Sequence, residues 1–163
     1  MDSPRGYSLA QVAIHWTVAA LVLFQLVFNR PMQEAFDDRL DGEGSEEMLG
    51  ALVHAGVGIT ILVLAVIRVA IRFTRGVPRA HQDKHPILIW IAYLTHAALY
   101  GFIFLMPLTG AFAWFLGIEF SAELHEIGRL LIIPVIGLHV LGALAEHFVW
   151  KNDALVRMLR PQR

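Results

Sequence analysis

The chain has 163 residues, 56% of them hydrophobic and 17% charged, with a mean hydropathy of +0.58; a water-soluble domain is nearer half apolar and a quarter charged. This length allows one domain, and the net charge of -1 gives no pointer to nucleic acid, so no nucleic-acid partner is expected. The absence of cysteine excludes disulfides, thiolate-held iron–sulfur clusters and a covalently attached c-type haem.

Four segments are long enough to cross a bilayer, which takes roughly 20 apolar residues per helix. The first runs over about Leu9–Phe28. It does not read as a signal peptide, because only Arg5 precedes it and no small-residue cleavage site follows. The stretch after it is acidic: Glu34, Asp37, Asp38, Asp41, Glu43, Glu46 and Glu47 stand against Arg30 and Arg39. The second span covers about Leu49–Ile71 and is followed by a basic, polar loop with Arg72, Arg75, Arg79 and Lys84. A third span runs from about Ile87 to Pro107, with a further apolar stretch at 108–118. A short acidic loop with Glu119 and Glu123 leads into the fourth span, about Leu124–Trp150, and a basic tail follows. The expected fold class is therefore all-α, an integral membrane four-helix bundle in a single domain. Pro107 and Pro134 are expected to bend the third and fourth spans. Three of the four tryptophans, Trp16, Trp90, Trp114 and Trp150, fit an interfacial belt.

Basic residues near helix ends set orientation. Arg68, Arg72, Arg75, Arg79 and Lys84 on one segment, with Lys151, Arg157, Arg160 and Arg163 on another, fall on the same side. Both termini are then expected in the cytoplasm of a bacterial inner membrane.

Six of the 8 histidines, His15, His54, His96, His125, His139 and His147, lie in or at the edges of these apolar segments. An ionisable residue at membrane depth is expensive and points to function. Neutral imidazole is also a common metal ligand, including for haem iron. His125 and His139 are 14 residues apart, nearly four full turns, so their rings share a face roughly 21 Å apart along the axis. Gly128 and Gly142 each follow a histidine by three residues, where the missing side chain lets a flat macrocycle approach; His54-Ala55-Gly56-Val57-Gly58 repeats the device. By depth, His54 and His125 form one level and His15 and His139 another. His96 is level with His139, so spacing alone leaves it open as the fourth ligand. Paired histidines across a cavity suit six-coordinate haem better than tetrahedral zinc.

Ile14-His15-Trp16, His54-x-x-x-Gly58, Leu124-His125-Glu126, Gly137-Leu138-His139 and Glu146-His147-Phe148-Val149-Trp150-Lys151 together resemble the bacterial cytochrome b561 family. That family is related to the cytochrome b subunits of formate dehydrogenase and nickel–iron hydrogenase. The resemblance covers nearly the whole chain. It implies four membrane helices, two non-covalent b haems and electron exchange with ubiquinone. It implies an inner haem between His15 and His139 and an outer haem between His54 and His125. His96 is then left for a propionate, a quinone or a neighbouring helix. His147, beside Glu146, reads either as a solvated helix end or as a proton-exchanging group at a quinone site. His81 and His85 read as solvated loop residues.

A b haem brings two propionates that need basic partners near hydrocarbon. Arg129, one turn from His125, suits the outer haem. Arg68 and Arg72 suit the inner one, or else snorkel to the interface. The expected function is electron transfer with the quinone pool. Superoxide is one electron donor proposed within the family, and the acidic stretch counts mildly against an anion. A haem-bearing anchor subunit serving a periplasmic redox protein is the first alternative, and a metal transporter without redox chemistry the second. Membrane lipid is the surrounding partner; nothing in the sequence fixes the oligomeric state. One outcome is expected from charge alone. Nine basic residues flank the two basic segments against two in the acidic stretch, so an alkaline phosphatase fused to the C-terminus should be inactive; periplasmic activity would reverse the topology.

Overall fold

The computed structural model describes residues 6–42, 44–78 and 85–161. Arg5, Glu43, Arg79, His81, Lys84 and Arg163 lie outside the described residues. Six helices make up the described chain: α1 (Leu9–Val27), α2 (Arg30–Leu40), α3 (Met48–Arg75), α4 (Pro86–Leu116), α5 (Glu119–Phe148) and α6 (Ala154–Leu159). Four of them, α1, α3, α4 and α5, are long and apolar enough to cross a membrane. The architecture is the all-α membrane bundle expected.

Each long helix satisfies its backbone internally, as lipid requires. The threonines do the same with their side chains: Thr60, Thr74, Thr95 and Thr109 each donate to the carbonyl one turn back, at 2.7–2.9 Å. Ser8 and Gln11 cap α1 reciprocally, the Ser8 hydroxyl accepting from the Gln11 amide and the Gln11 side chain from the Ser8 N–H. His85 is the N-cap of α4, its Nδ1 accepting from the Ile87 N–H at 3.4 Å; it is not simply a solvated loop residue.

The helices pack in the spatial order α1, α3, α4, α5, each against the next. Leucine and isoleucine dominate the outward faces, as at Leu105 and Leu141, and these are the lipid-facing surfaces. The interior is thinly filled. Small residues such as Ala51, Ala65 and Ala113 supply much of the buried set, and no large side chain among the described residues is fully enclosed. A soluble bundle packs its interior to crystal-like density; here space is left along the axis.

Helix α4 continues through Pro107 to Leu116, taking in most of the apolar stretch at 108–118, and only Gly117 and Ile118 separate it from α5. Two features differ from the expectation. Glu119 and Glu123 are thus first-turn and second-turn residues of α5, not loop residues. Gly117 makes this turn possible, since it adopts φ +65°, a left-handed conformation open to glycine. The acidic stretch after α1 contains a helix, α2, started by Pro31 in its first turn. Its apolar side, Met32, Ala35 and Phe36, packs on Ala51, Ala55 and Trp114. Trp114 is buried in that contact, while Trp16, Trp90 and Trp150 are exposed.

Arg39 locks α2 in place. Its Nη1 donates to the Trp114 carbonyl at 2.7 Å, and its guanidinium stands over the Trp114 ring at 5.2 Å. The opposite end of the bundle is tied by α6. Trp16 Nε1 donates to the Met158 carbonyl at 2.8 Å, and Gln11 Nε2 to the Gly76 carbonyl at 2.9 Å. A charged hydrogen bond plus a cation–π contact at a partly exposed site is worth about 1–2 kcal/mol. Arg39→Ala should therefore speed amide exchange in α2 roughly tenfold and leave α5 unchanged, read by hydrogen–deuterium exchange; equal exchange in both proteins would remove Arg39 from this role.

Candidate haem sites

The four histidines on α1, α3 and α5 meet in two pairs. The rings of His54 and His125 face each other at the α2 end, with centroids 6.3 Å apart and planes at 70°. The rings of His15 and His139 do so at the α6 end, 6.2 Å apart at 66°. Helix α5 supplies one member of each pair, as the 14-residue spacing requires.

These separations have a chemical meaning. With a metal–nitrogen bond of about 2.0–2.1 Å and a ring nitrogen about 1.1 Å from the ring centre, two imidazoles on opposite sides of one metal have centroids about 6.3 Å apart. Both pairs stand at that distance. His96 behaves differently. Its ring meets His139 edge-on at 5.0 Å and 90°, too close for a metal between them. Its Nδ1 is engaged with the Ala92 carbonyl at 2.6 Å, and the side chain is exposed.

A cavity of about 670 Å³ lies at the α2 end, with His54 and His125 in its wall together with Gln25, Phe36, Met106 and Arg129. That volume is in the range of cofactor pockets, about 300–1,000 Å³. His125 is held tightly. Its Nδ1 lies 2.9 Å from the Met106 carbonyl and 3.2 Å from Thr109 Oγ1. Donation from Nδ1–H to that carbonyl leaves Nε2 directed elsewhere, the arrangement usual for a ligating histidine. Ser121 fixes the same corner by donating to the Thr109 carbonyl at 2.8 Å. Gly110 makes room for the ring: a Cβ there would meet His125 Cε1 at 3.0 Å. His54 Nδ1, by contrast, is buried with no hydrogen-bond partner.

The glycines divide. Gly142, three residues after His139, has open space where a Cβ would stand, as expected for a face that admits a flat group; Gly56 is also open, but two residues from His54 it lies on the other side of α3, exposed and outside the cavity wall. Gly128 does not, because the Met106 thioether already fills that position. Gly58 faces Gln25 Nε2 at 3.5 Å.

The basic residues are distributed as follows. Arg129 lines the α2-end cavity and reaches Glu126 Oε1 at 3.4 Å, its side chain 27% exposed. Arg68 and Arg72 both stand over the Tyr100 ring, at 5.9 and 5.8 Å. Arg68 is within electrostatic reach of His15 and His139, toward the α6 end. His147 is half-buried, and its Nδ1 is enclosed without a partner, so it is no solvated helix end. His15, His96 and His139 come close together, but among the described residues no group of three histidines or carboxylates is placed to hold one metal ion.

Several lining residues carried no signal in a histidine search. Gln25 is a lone amide in the apolar run of α1. Asn29, Gln33 and Asp37 follow it at four-residue intervals, and all four line the cavity. The polar spacing across the α1–α2 junction was the available clue.

Comparison with known proteins agrees with this arrangement. The family model described as prokaryotic cytochrome b561 matches residues 6–161. Cytochrome b562 of Cereibacter sphaeroides is 32% identical, over 99% of this chain and all of the relative. A probable superoxide oxidase, CybB, of Yersinia pestis is 28% identical, with 98% of each chain covered. Cytochrome b561 homolog 2 of Escherichia coli is 24% identical over 97% of this chain and 93% of the relative.

The Gly110 contact generates a direct test. Gly110→Ala should push the His125 ring away from Met106 and lower low-spin haem content toward half, measured by pyridine haemochrome against protein. Gly56→Ala, at an exposed position outside the cavity wall, should keep full haem content and an unaltered spectrum. Full haem content with an unaltered spectrum in the Gly110 variant would contradict the contact.

Proposed function

The chain belongs to the prokaryotic cytochrome b561 family, a family of haem-binding membrane electron-transfer proteins, and from that premise we propose that it carries two b haems and exchanges electrons with ubiquinone. The observation that carries this reading is the pair of histidine separations, 6.2 and 6.3 Å, at opposite ends of one bundle. His15 and His139 hold the inner haem, and His54 and His125 the outer. Each haem supplies a one-electron iron couple buried in low dielectric. The protein's part is to keep both imidazoles of a pair opposed, exclude water and compensate propionate charge. Arg129 does the last for the outer haem, and Arg68 with Arg72 for the inner.

The membrane is the bacterial inner membrane, and both termini face the cytoplasm. The α2 end is then periplasmic. At that end the cavity wall includes Asp37, Glu119, Glu123 and Glu126 with Arg129 as its cation. Carboxylates around the entrance repel an anion and attract a basic protein. Superoxide is a candidate donor because a relative is named as its probable oxidase. The acidic rim favours a second reading, in which the chain passes electrons between quinone and a basic periplasmic redox protein. Half-buried His147 with its enclosed Nδ1 suits proton exchange on the cytoplasmic side.

Ligand substitutions test the first part. His54→Ala should lose one low-spin haem and His15→Ala the other, while His96→Ala keeps both, by haem quantitation and electron paramagnetic resonance. Loss in the His96 variant with retention in the His15 variant would move the ligand to α4. Charge substitutions test the second. Neutralising Asp37, Asp38 and Asp41 together should slow reduction by a basic donor severalfold, and the effect should fade as the Debye length drops from ~10 Å at 0.1 M salt to ~3 Å at 1 M. With superoxide as donor the same change should accelerate reduction, and Arg129→Gln should slow it. A quinol entering from lipid should respond to neither.

A further inference from the structure

The two outer-site histidines are supported unequally. His125 has the Met106 carbonyl at 2.9 Å for its Nδ1. His54 has no hydrogen-bond partner at Nδ1, although that atom is buried. A buried N–H without an acceptor costs about 1–3 kcal/mol. A ligating histidine nearly always donates its second ring N–H to an oxygen, which fixes the ring and raises its basicity toward the metal.

An acceptor of the right kind stands on the neighbouring helix. Gln25 Nε2 donates to the backbone carbonyl of His54 at 2.9 Å. Its other atom, Oε1, is also buried and unpartnered. So one amide, already fastened to the His54 peptide, has a spare acceptor, and the His54 ring has a spare donor. Both residues line the same cavity. A Cβ at position 58 would stand 3.5 Å from Gln25 Nε2, an ordinary contact, so Gly58 is not what fixes the amide. The rival acceptor is the Phe28 carbonyl at the C-terminal end of α1, which also faces the ring.

We propose that Gln25 is a positioning residue for His54: its Nε2 holds the His54 peptide and its Oε1 accepts the Nδ1–H of the His54 imidazole when Nε2 of that ring is on iron. This rests on the assignment of His54 and His125 as the outer pair. Helix α1 then serves both haems, the inner by ligation through His15 and the outer by orienting a ligand that α3 carries. The outer-haem potential is set in part by one amide.

The test uses haem-loaded, full-length protein in nanodiscs at pH 8, with a spectroscopic redox titration that resolves the two haems. Gln25→Leu removes the acceptor and should raise the outer-haem potential. Gln25→Glu keeps the volume and the acceptor oxygen but makes it a stronger base, and should lower that potential. The inner haem should not move in either. Unmoved outer potentials, shifts of the same sign, or equal shifts of both haems overturn the proposal; the first of these assigns the role to the Phe28 carbonyl. If the leucine variant fails to retain the outer haem, the glutamate variant decides alone. Loss of the outer haem from both also overturns it, since glutamate preserves size and acceptor. His54→Ala is measured beside them. Retention of both low-spin haems there would refute the ligand assignment itself, whatever Gln25 does.

Discussion

A histidine placed in hydrocarbon needs partners for two ring nitrogens, and a helix bundle in lipid has few to offer. Backbone carbonyls are committed to the helices, and water is absent. The chain meets this demand by opposing its imidazoles in pairs at about 6.3 Å. The rest of the bundle follows from keeping those rings apart. If the interior were packed as in a soluble bundle, large side chains would stand between the pairs. Instead alanines such as Ala51, Ala65 and Ala113 supply much of the buried set, and many large apolar side chains are exposed on the outer faces. The stability usually supplied by a dense core has to come from lipid contact, from the ties at the two ends, and from the groups that fill the axis.

The two ends are tied in different ways, and this makes the sites unlike. At one end α2 lies across the bundle, held through the Trp114 carbonyl and ring by Arg39. The site beneath it is a partly open cavity with carboxylates in its wall. At the other end the short α6 is fastened by one hydrogen bond from Trp16, the residue next to His15. Arg157 there is mostly enclosed and paired with Asp153 at 3.1 Å. The His15 pair has Arg68 within electrostatic reach, and the His54 pair has Arg129 beside His125, with the carboxylates of Asp37, Glu119, Glu123 and Glu126 elsewhere in the cavity wall.

Much of this was legible in the sequence. Hydropathy located the four spans, and the 14-residue interval between His125 and His139 fixed the two levels before any coordinates. What periodicity cannot give is the lateral relation of helices. His96 sits at the depth of His139 and was indistinguishable from His15 by position; ring geometry, 5.0 Å against 6.2 Å, separates them. Helix α2 was hidden because its charged residues dominate a composition count, while its buried face is only Met32, Ala35 and Phe36. The run of α4 through Pro107 was open in the sequence, because the stretch at 108–118 is also apolar. Proline forfeits one backbone hydrogen bond, but in a bundle the neighbouring helix and side chains can absorb the loss. Gly128 misled in another way: its spacing from His125 suggested an open face, and the flexible Met106 side chain had taken the space.

On the proposed reading, the acidic rim and the partly exposed Arg129 together limit what can deliver an electron at the α2 end. A carboxylate-lined entrance over a single guanidinium is a field that changes sign with depth. A small anion must cross a repulsive zone before it meets attraction from Arg129, and that guanidinium is itself shared with Glu126 at 3.4 Å. A basic protein gains from the rim without entering, so it needs only to approach the cavity mouth between α2 and the start of α5. The rim carboxylates are screened by salt, and so is the Arg129–Glu126 pair, since Glu126 is exposed. Entry of an anion should thus improve with ionic strength, and docking of a basic protein should weaken. The sign of the salt dependence, more than any single residue, identifies the class of donor for which this face is built.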